Sequence, residues 1–463
     1  MISFRNPAWF IRTGNIDDHK RPERKTDRKT EKMTSIEDRF LELHPESKPL
    51  AEKSNALFAH GVTHVGRAMS PYPVYMERGS GSRKWDVDGN EYIDYKTGHG
   101  SMILGQAHPA IVEAVQSQMT KGTHLSSGTR LEVEWAEAVI RLVPSVEKLR
   151  FVASGTEALM MAFKMARVFS GKEKIVKFAG AFHGWSDPAY VTDPETDRQY
   201  GIPHGTSETV INTPAHDLDA LDEILVARDD VAAVVFQGND IAPPEFIRGL
   251  RELTASHGVL LIFDEVVSGF RWSNAGCQGR YGVTPDLSAF AKILAGGLPG
   301  GCVGGRADVV DTVGEGGIRH PGTFNANPLS AAAGKAALDI VERDPIVKTA
   351  DKQATRLKAG INKVLQSMEI PGGAYGVSSI AMVSLGTPVD TDDPHAVPAG
   401  VEQGGRPVST EVLDQLQLAI INEGLWTHPA SMILSASHSD ADIDETVSGY
   451  EAGLHAVRAA GLV

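Results

Sequence analysis

Between about residues 96 and 330, short apolar runs alternate with amphipathic ones. Leu149–Val152 precedes a helix-periodic stretch over 156–169, and Lys174–Phe178 precedes another over 216–227. The runs Val231–Phe236 and Val259–Phe263 are β-branched and continuously apolar, as strands buried on both faces are. This alternation predicts βαβ units and a mostly parallel sheet with helices on both faces. Upstream, 34–65 reads as helical, with Phe40, Leu41, Leu50 and Leu57 set among charges. Lys84–Asp94 reads as a β-hairpin turning at Asp88-Gly89-Asn90. Residues 331–345 form an Ala-rich helix leading out of the sheet region, and the rest mixes helices with short strands. The expectation is an α/β chain in four parts. These are an extension over 1–33, a helical segment and hairpin over 34–95, a large sheet domain over 96–330, and a smaller α+β domain over 331–463. No internal repeat is visible.

Length agrees with that division, since 463 residues exceed one simple core. The net charge of -14 repels nucleic acid and anionic lipid, so neither is an expected partner. Cys277 and Cys302 form neither a CxxC pair nor a zinc-like spacing, which suits a reducing cytoplasm and gives no metal site. No apolar run reaches membrane-spanning length. Residues 1–33 carry Lys20, Arg21, Arg24 and Lys25, but also Asp17, Asp18, Glu23 and Asp27. Without an apolar h-region this is no signal peptide, and its acids argue against a transit peptide, so a disordered extension is expected.

Five segments carry candidate chemistry. Arg150–Ala158 runs a strand into Ser154-Gly155-Thr156 and then a helix, where free N–H groups suit a phosphate. Phe178–Gly184 places Phe182 and His183 after a strand, where an aromatic ring could stack on a flat ligand. Val259–Val267 ends an apolar strand on Asp264-Glu265, at the sheet edge where α/β proteins bind ligands. Pro285–Gly301 sets Lys292 between an apolar run and a Gly-rich loop, where partial desolvation favours a reactive amine. Gly322–Pro328 offers Thr323 before the Ala-rich helix. Each has a plainer meaning alone: helix cap, core aromatic, capping carboxylate, surface lysine. Their order and spacing together make a constellation for pyridoxal 5′-phosphate (PLP).

With those motifs, the sequence resembles the class III aminotransferases of fold type I, and within them the glutamate-1-semialdehyde aminomutase group. The shared pattern includes Trp85–Tyr95, Met102-Ile-Leu-Gly, His108-Pro109 and Leu434-Ser-Ala-Ser-His438, and covers nearly everything after residue 40. Gly98-His-Gly100, Ala295–Gly301 and His320-Pro-Gly-Thr-Phe324 are also similar to the D-phenylglycine aminotransferase branch. The resemblance implies a fold type I PLP-dependent transferase. Lys292 would be the Schiff-base lysine and proton shuttle, and Asp264 the partner of the ring nitrogen. Phe182 and Val266 would lie on the two ring faces, with His183 beside them. Ser154, Gly155 and Thr156 would hold the phosphate, with Thr323 reaching the phosphate of the neighbouring subunit, which implies a homodimer.

Three departures stand out. Gln237-Gly238 replaces the family's Glu-Pro, Ala430 stands near the position of a further aminomutase glutamate, and Gly98-His-Gly-Ser-Met102 replaces Ser-Trp-Gly-Pro-Met. They favour ping-pong transamination between a small-molecule amino donor and a carbonyl acceptor. Intramolecular amino exchange, racemisation and a catalytically silent binding module are the alternatives. Arg67 is a candidate grip for a substrate carboxylate, and His99 and His428 are candidates to line the substrate side.

Overall fold

Seven strands build the central sheet. Their spatial order is Lys148–Val152, Gly301–Gly305, Leu287–Ala291, Leu260–Asp264, Val231–Gln237, Lys174–Phe178, Val210–Thr213. Gly301–Gly305 runs antiparallel to both its neighbours, and the other adjacent pairs are parallel. Every residue of Val231–Gln237, Leu260–Asp264 and Leu287–Ala291 is buried, which is why these runs show no polar alternation. The computed structural model describes residues 35–192, 200–314, 316–399 and 408–462. The α/β class expected from the alternation is observed, while the expected extension over 1–33 lies outside the described residues.

The crossover helix Gly155–Ser170 begins on Ser154, whose hydroxyl accepts the N–H of Glu157, and ends on Gly171 at φ +70°. It buries Ala158, Leu159, Ala162, Phe163 and Ala166, one stripe at helical spacing. Burying Leu159 and Phe163 contributes about 1.5–3 kcal/mol each. Elsewhere in the large unit, the apolar sides of Pro109–Met119, Arg130–Leu142 and Pro328–Arg343 join one cluster with Ile293, Leu294 and Ala295. Trp135 is its centre. It is fully buried, its ring stacks on Phe151 at 4.1 Å, and its Nε1 donates to the Leu294 carbonyl at 3.0 Å. Trp135→Ala is expected to cost about 3–5 kcal/mol, read as a fall in the urea midpoint at unchanged m-value.

A second cluster joins the helices Ile346–Ser367, Thr410–Asn422 and Asp440–Ala459 to the strands Gly372–Tyr375, Ile380–Leu385 and Ser431–Ile433. Ile93 and Tyr95 belong to it, so the N-terminal hairpin rides on the C-terminal unit. The hairpin strand Glu91–Asp94 pairs antiparallel with Arg83–Asp86 and parallel with Leu425–Trp426. The turn forms because Asp86 Oδ1 accepts the N–H groups of Asp88 and Asn90 at 3.0 and 2.8 Å. Among the described residues, no helix is long and apolar enough to cross a membrane.

Candidate active site

The C-terminal ends of three parallel strands bring together Lys292, Asp264 and the loop after Phe178. Two neighbouring carboxylates there do different work. Asp264 Oδ2 lies 2.8 Å from His183 Nδ1. A carboxylate only accepts, so Nδ1 carries the proton, and His183 Nε2 is left buried with no partner in the structure. The other Asp264 oxygen accepts the N–H of Val266 at 3.1 Å. Glu265 points the opposite way and is fully buried. It accepts the N–H groups of Cys277 and Gln278 at 2.9 and 3.0 Å and also meets the Ser268 hydroxyl. Burial pushes its carboxyl pKa up, against those hydrogen bonds. Glu265 therefore caps the short helix Gly276–Tyr281, while Asp264 faces His183 and acts on Lys292.

Ser154, Gly155 and Thr156 open the crossover helix at the end of Lys148–Val152. The Glu157 N–H is taken by Ser154 Oγ, so the N–H groups of Gly155 and Thr156 precede the helix's own acceptors. A Cβ on Gly155 would sit 2.9 Å from both Val266 methyls and 3.4 Å from Ala291 Cβ. A Cβ on Gly184 would sit 2.7 Å from Thr156 Oγ1. The Phe182-His183-Gly184 loop thus lies directly against the helix start. Its position is pinned by Gln237, whose buried Oε1 accepts the Phe182 N–H at 2.7 Å. The Phe182 side chain is 43% exposed. Gly155→Ala is expected to push Val266 aside at a cost of about 1–3 kcal/mol and to weaken binding of a phosphate-bearing ligand, measured by thermal unfolding and ligand titration.

Lys292 opens the turn after Leu287–Ala291 with its backbone in the left-handed region, φ +55°. That conformation costs a non-glycine residue about 1–3 kcal/mol, and the surrounding packing enforces it. Burial pulls the Lys292 ammonium pKa down, Asp264 partly restores it, and Arg271 lowers it further. A Cβ on Gly100 would lie 3.8 Å from Lys292 Cδ. Gly100 ends a left-handed turn in which Thr97, Gly98, His99 and Gly100 take φ of +39°, +60°, +55° and +89°. His99 stacks on His64 with ring centroids 4.8 Å apart. Burial, with His64, Lys96, Lys292 and Arg67 nearby, drives the His99 pKa down to about 3, so it stays neutral.

Arg67 and His99 therefore share the Lys292 neighbourhood, with the Arg67 guanidinium held by Thr63 Oγ1 at 2.9 Å. His428 Nδ1 accepts the N–H of Ala430 at 3.2 Å within its own turn. Thr323 stands apart. It is exposed on the loop before Pro328–Arg343, and its carbonyl accepts from His124 Nε2 at 2.6 Å. Sequence reasoning missed Lys96, His64 and Arg271. The signal for Arg271 was present: a cation in Val267-Ser-Gly-Phe-Arg271-Trp272, an apolar stretch with no acid in it.

The arrangement fits PLP. The strand-end carboxylate, the unpartnered Nε2 of His183 and the side-chain-free cradle at Gly155 suit a flat cationic ring with an anionic tail, and Lys292 supplies an amine. Comparison with known proteins agrees with that chemistry. The family model described as "Aminotransferase class-III" matches residues 64–404. A protein named glutamate-1-semialdehyde 2,1-aminomutase from Methanothrix thermoacetophila is 36% identical over 421 residues, covering 88% of this chain and 95% of that protein. An omega-transaminase from Sphaerobacter thermophilus superposes with a TM-score of 0.80 at 32% identity, covering 89% of this chain and 98% of its own. A structure described as a transaminase with PLP bound superposes with a TM-score of 0.81 at 28% identity, covering 90% of this chain and 99% of its own.

Proposed function

The chain belongs to the class III aminotransferase family, and from that premise we propose that it moves an amino group between a donor and a separate carbonyl acceptor, with PLP held at Lys292. The reading rests on one observation above the others: Asp264 ends one parallel strand, Lys292 directly follows the strand beside it, and the Asp264 carboxylate raises the Lys292 pKa against burial. Bound PLP supplies an aldehyde that captures amines and a ring that draws electrons from the carbon bearing the amine.

The chain's own residues do the rest. Lys292 would be the base that takes the proton from that carbon and passes it to the carbon that was the cofactor's aldehyde, because its depressed pKa leaves more of the amine neutral. Asp264 offers a charged acceptor to the ring nitrogen, and the His183 N–H fixes the orientation of its carboxylate. Gly155 and Thr156 donate backbone N–H groups to the phosphate, with Ser154 capping the helix that carries them. Val266 and Phe182 enclose the ring. Arg67 grips a substrate carboxylate beside the neutral His99. His428 completes the substrate side.

Thr323 serves the second site of a homodimer. Phe324 and Leu125 on adjoining loops are 63% and 52% exposed, an apolar surface around Thr323 that a second copy would cover. Sedimentation at micromolar concentration is expected to show the dimer.

Incubation of the yellow holoenzyme with a panel of amino donors tests the reaction. A donor alone should convert the cofactor to its amine form and release one keto product per site. The name of the 36%-identical relative favours a second reading, intramolecular exchange on one amino aldehyde. Isomerisation of such a compound, with no conversion by any separate donor, would replace transamination by that reading.

A further inference from the structure

Arg271 is fully buried, and among the described residues no salt bridge reaches it, though the charge of Asp351 raises its pKa against burial. Such a charge is costly unless its donors are well placed. Its Nη1 donates to Ser379 Oγ and to the Leu434 carbonyl, both at 2.8 Å, and its Nη2 donates to the Gly100 carbonyl at 2.9 Å. Its Nε is buried with no partner. The Ser378 hydroxyl lies 2.9 Å from the Arg271 carbonyl and 2.7 Å from Asp351 Oδ1, sharing its one proton between them.

These contacts span three segments far apart in sequence. Arg271 follows the strand that ends on Asp264. Ser379 and Leu434 flank the strands Ile380–Leu385 and Ser431–Ile433 of the C-terminal unit. Gly100 closes the left-handed turn that carries His99. That turn includes two side-chain-bearing residues in a region they disfavour, so something must hold it. Asp94 Oδ1 holds its start, accepting the N–H groups of Lys96 and Thr97, each at 3.1 Å. Arg271 holds its end. Beyond that end stand Lys292, near Gly100, and Ile433, whose Cδ1 a Gly100 Cβ would approach to 3.6 Å.

We propose that Arg271 is a positioning residue. It clamps the Thr97–Gly100 turn and the C-terminal unit around Lys292, and it acts on the reaction through the Gly100 carbonyl and through its charge, without touching substrate. This rests on the reading of Lys292 as the cofactor-bearing lysine. Burial already lowers the guanidinium pKa to about 10, yet it stays a cation at neutral pH. It is one of the groups that hold the Lys292 amine below its ordinary value.

The test uses the holoenzymes of wild type, Arg271→Met and Arg271→Lys. The pH midpoint of the lysine-bound cofactor's absorption is followed, with kcat and KM for the best donor of the panel. Arg271→Met loses a cation beside Lys292, so its midpoint should rise by about half a unit or more. Arg271→Lys keeps the charge and the wild-type midpoint. Its single ammonium cannot fork to three acceptors, so KM should rise about tenfold with kcat within about twofold. A purely structural role would lower the melting temperature and leave the midpoint alone. Loaded Arg271→Met with wild-type midpoint and wild-type KM overturns the proposal.

Should Arg271→Met not fold, Ser379→Ala removes one acceptor and leaves the cation. A threefold to tenfold rise in KM, on the order of one lost hydrogen bond, supports the clamp, and an unchanged KM overturns it. If wild-type protein carries no cofactor on Lys292, the functional reading fails first and the clamp falls with it.

Discussion

Lys292→Ala is expected to lower turnover by about four orders of magnitude or more, because in the proposed mechanism one side chain both anchors the cofactor and moves the proton. Borohydride reduction of wild-type holoenzyme should place the cofactor's mass on the peptide containing Lys292, and the variant should show none. A small primary amine added to the variant should restore part of the proton transfer, since the cavity left by the side chain lies beside Gly100 and Ile433. A variant that still traps the cofactor at another lysine would remove Lys292 from its assigned place.

Stability should change with a defined sign. Burial holds the folded-state pKa of Lys292 below its ordinary value, so between the two the unfolded chain binds more protons than the folded one. The cofactor-free wild type therefore gains stability as pH rises through that window, and the variant lacks this gain. The variant's advantage in unfolding free energy should be largest near neutrality and shrink as pH becomes alkaline. Denaturant titrations of both proteins across the range would measure it, and the difference between them cancels the other titrating groups.

Asp264→Asn is expected to be the second largest loss, about two to three orders of magnitude in kcat. The shape is nearly kept, and the charge proposed to face the ring nitrogen is gone. The asparagine oxygen can still accept from His183 Nδ1, so the loop carrying Phe182 should stay in place. Cofactor retention on gel filtration should weaken less than turnover falls. Equal losses in both would mean that Asp264 holds the cofactor and contributes little to the chemistry. Its neighbour is the internal control. Glu265→Gln disturbs the cap of Gly276–Tyr281 and should cost stability, with little effect on the cofactor's spectrum.

The sheet was legible because burial on both faces leaves a simple trace, the continuous apolar runs of Val231–Gln237 and Leu260–Asp264. The positions of Lys292, Asp264 and Ser154-Gly155-Thr156 at element ends were legible for a related reason, since each stands where a strand or helix signal stops. Which carboxylate of Asp264-Glu265 faces His183 and Lys292 was not decided by pattern. Adjacent residues leave a strand on opposite sides, and only the partners, His183 for one and Cys277 and Gln278 for the other, tell them apart.

The left-handed turn was invisible for a stronger reason. Local preference argues against Thr97 and His99 at positive φ, and the contacts that override it come from Asp94 and Arg271. The His64–His99 stack joins residues on two different turns, and periodicity along one element carries no record of such meetings. Gln237 was noticed as a departure, yet its hold on the Phe182 backbone appears only in three dimensions.

The strand Gly301–Gly305 has a consequence for how the chain acquires its shape. It is zipped between Lys148–Val152 and Leu287–Ala291, and a Cβ on Gly301 would lie 2.5 Å from the Ser154 carbonyl oxygen. The proposed phosphate cradle is thus joined to the Lys292 side of the sheet by one local pairing, with Leu287–Ala291, and one between distant parts of the chain, with Lys148–Val152, the kind that forms late because a long loop must close first. During synthesis, the ribosome will have released the cradle long before the strand that completes it. A cofactor held by the cradle and Lys292 would then join a finished sheet, and refolding should recover secondary structure before it recovers colour.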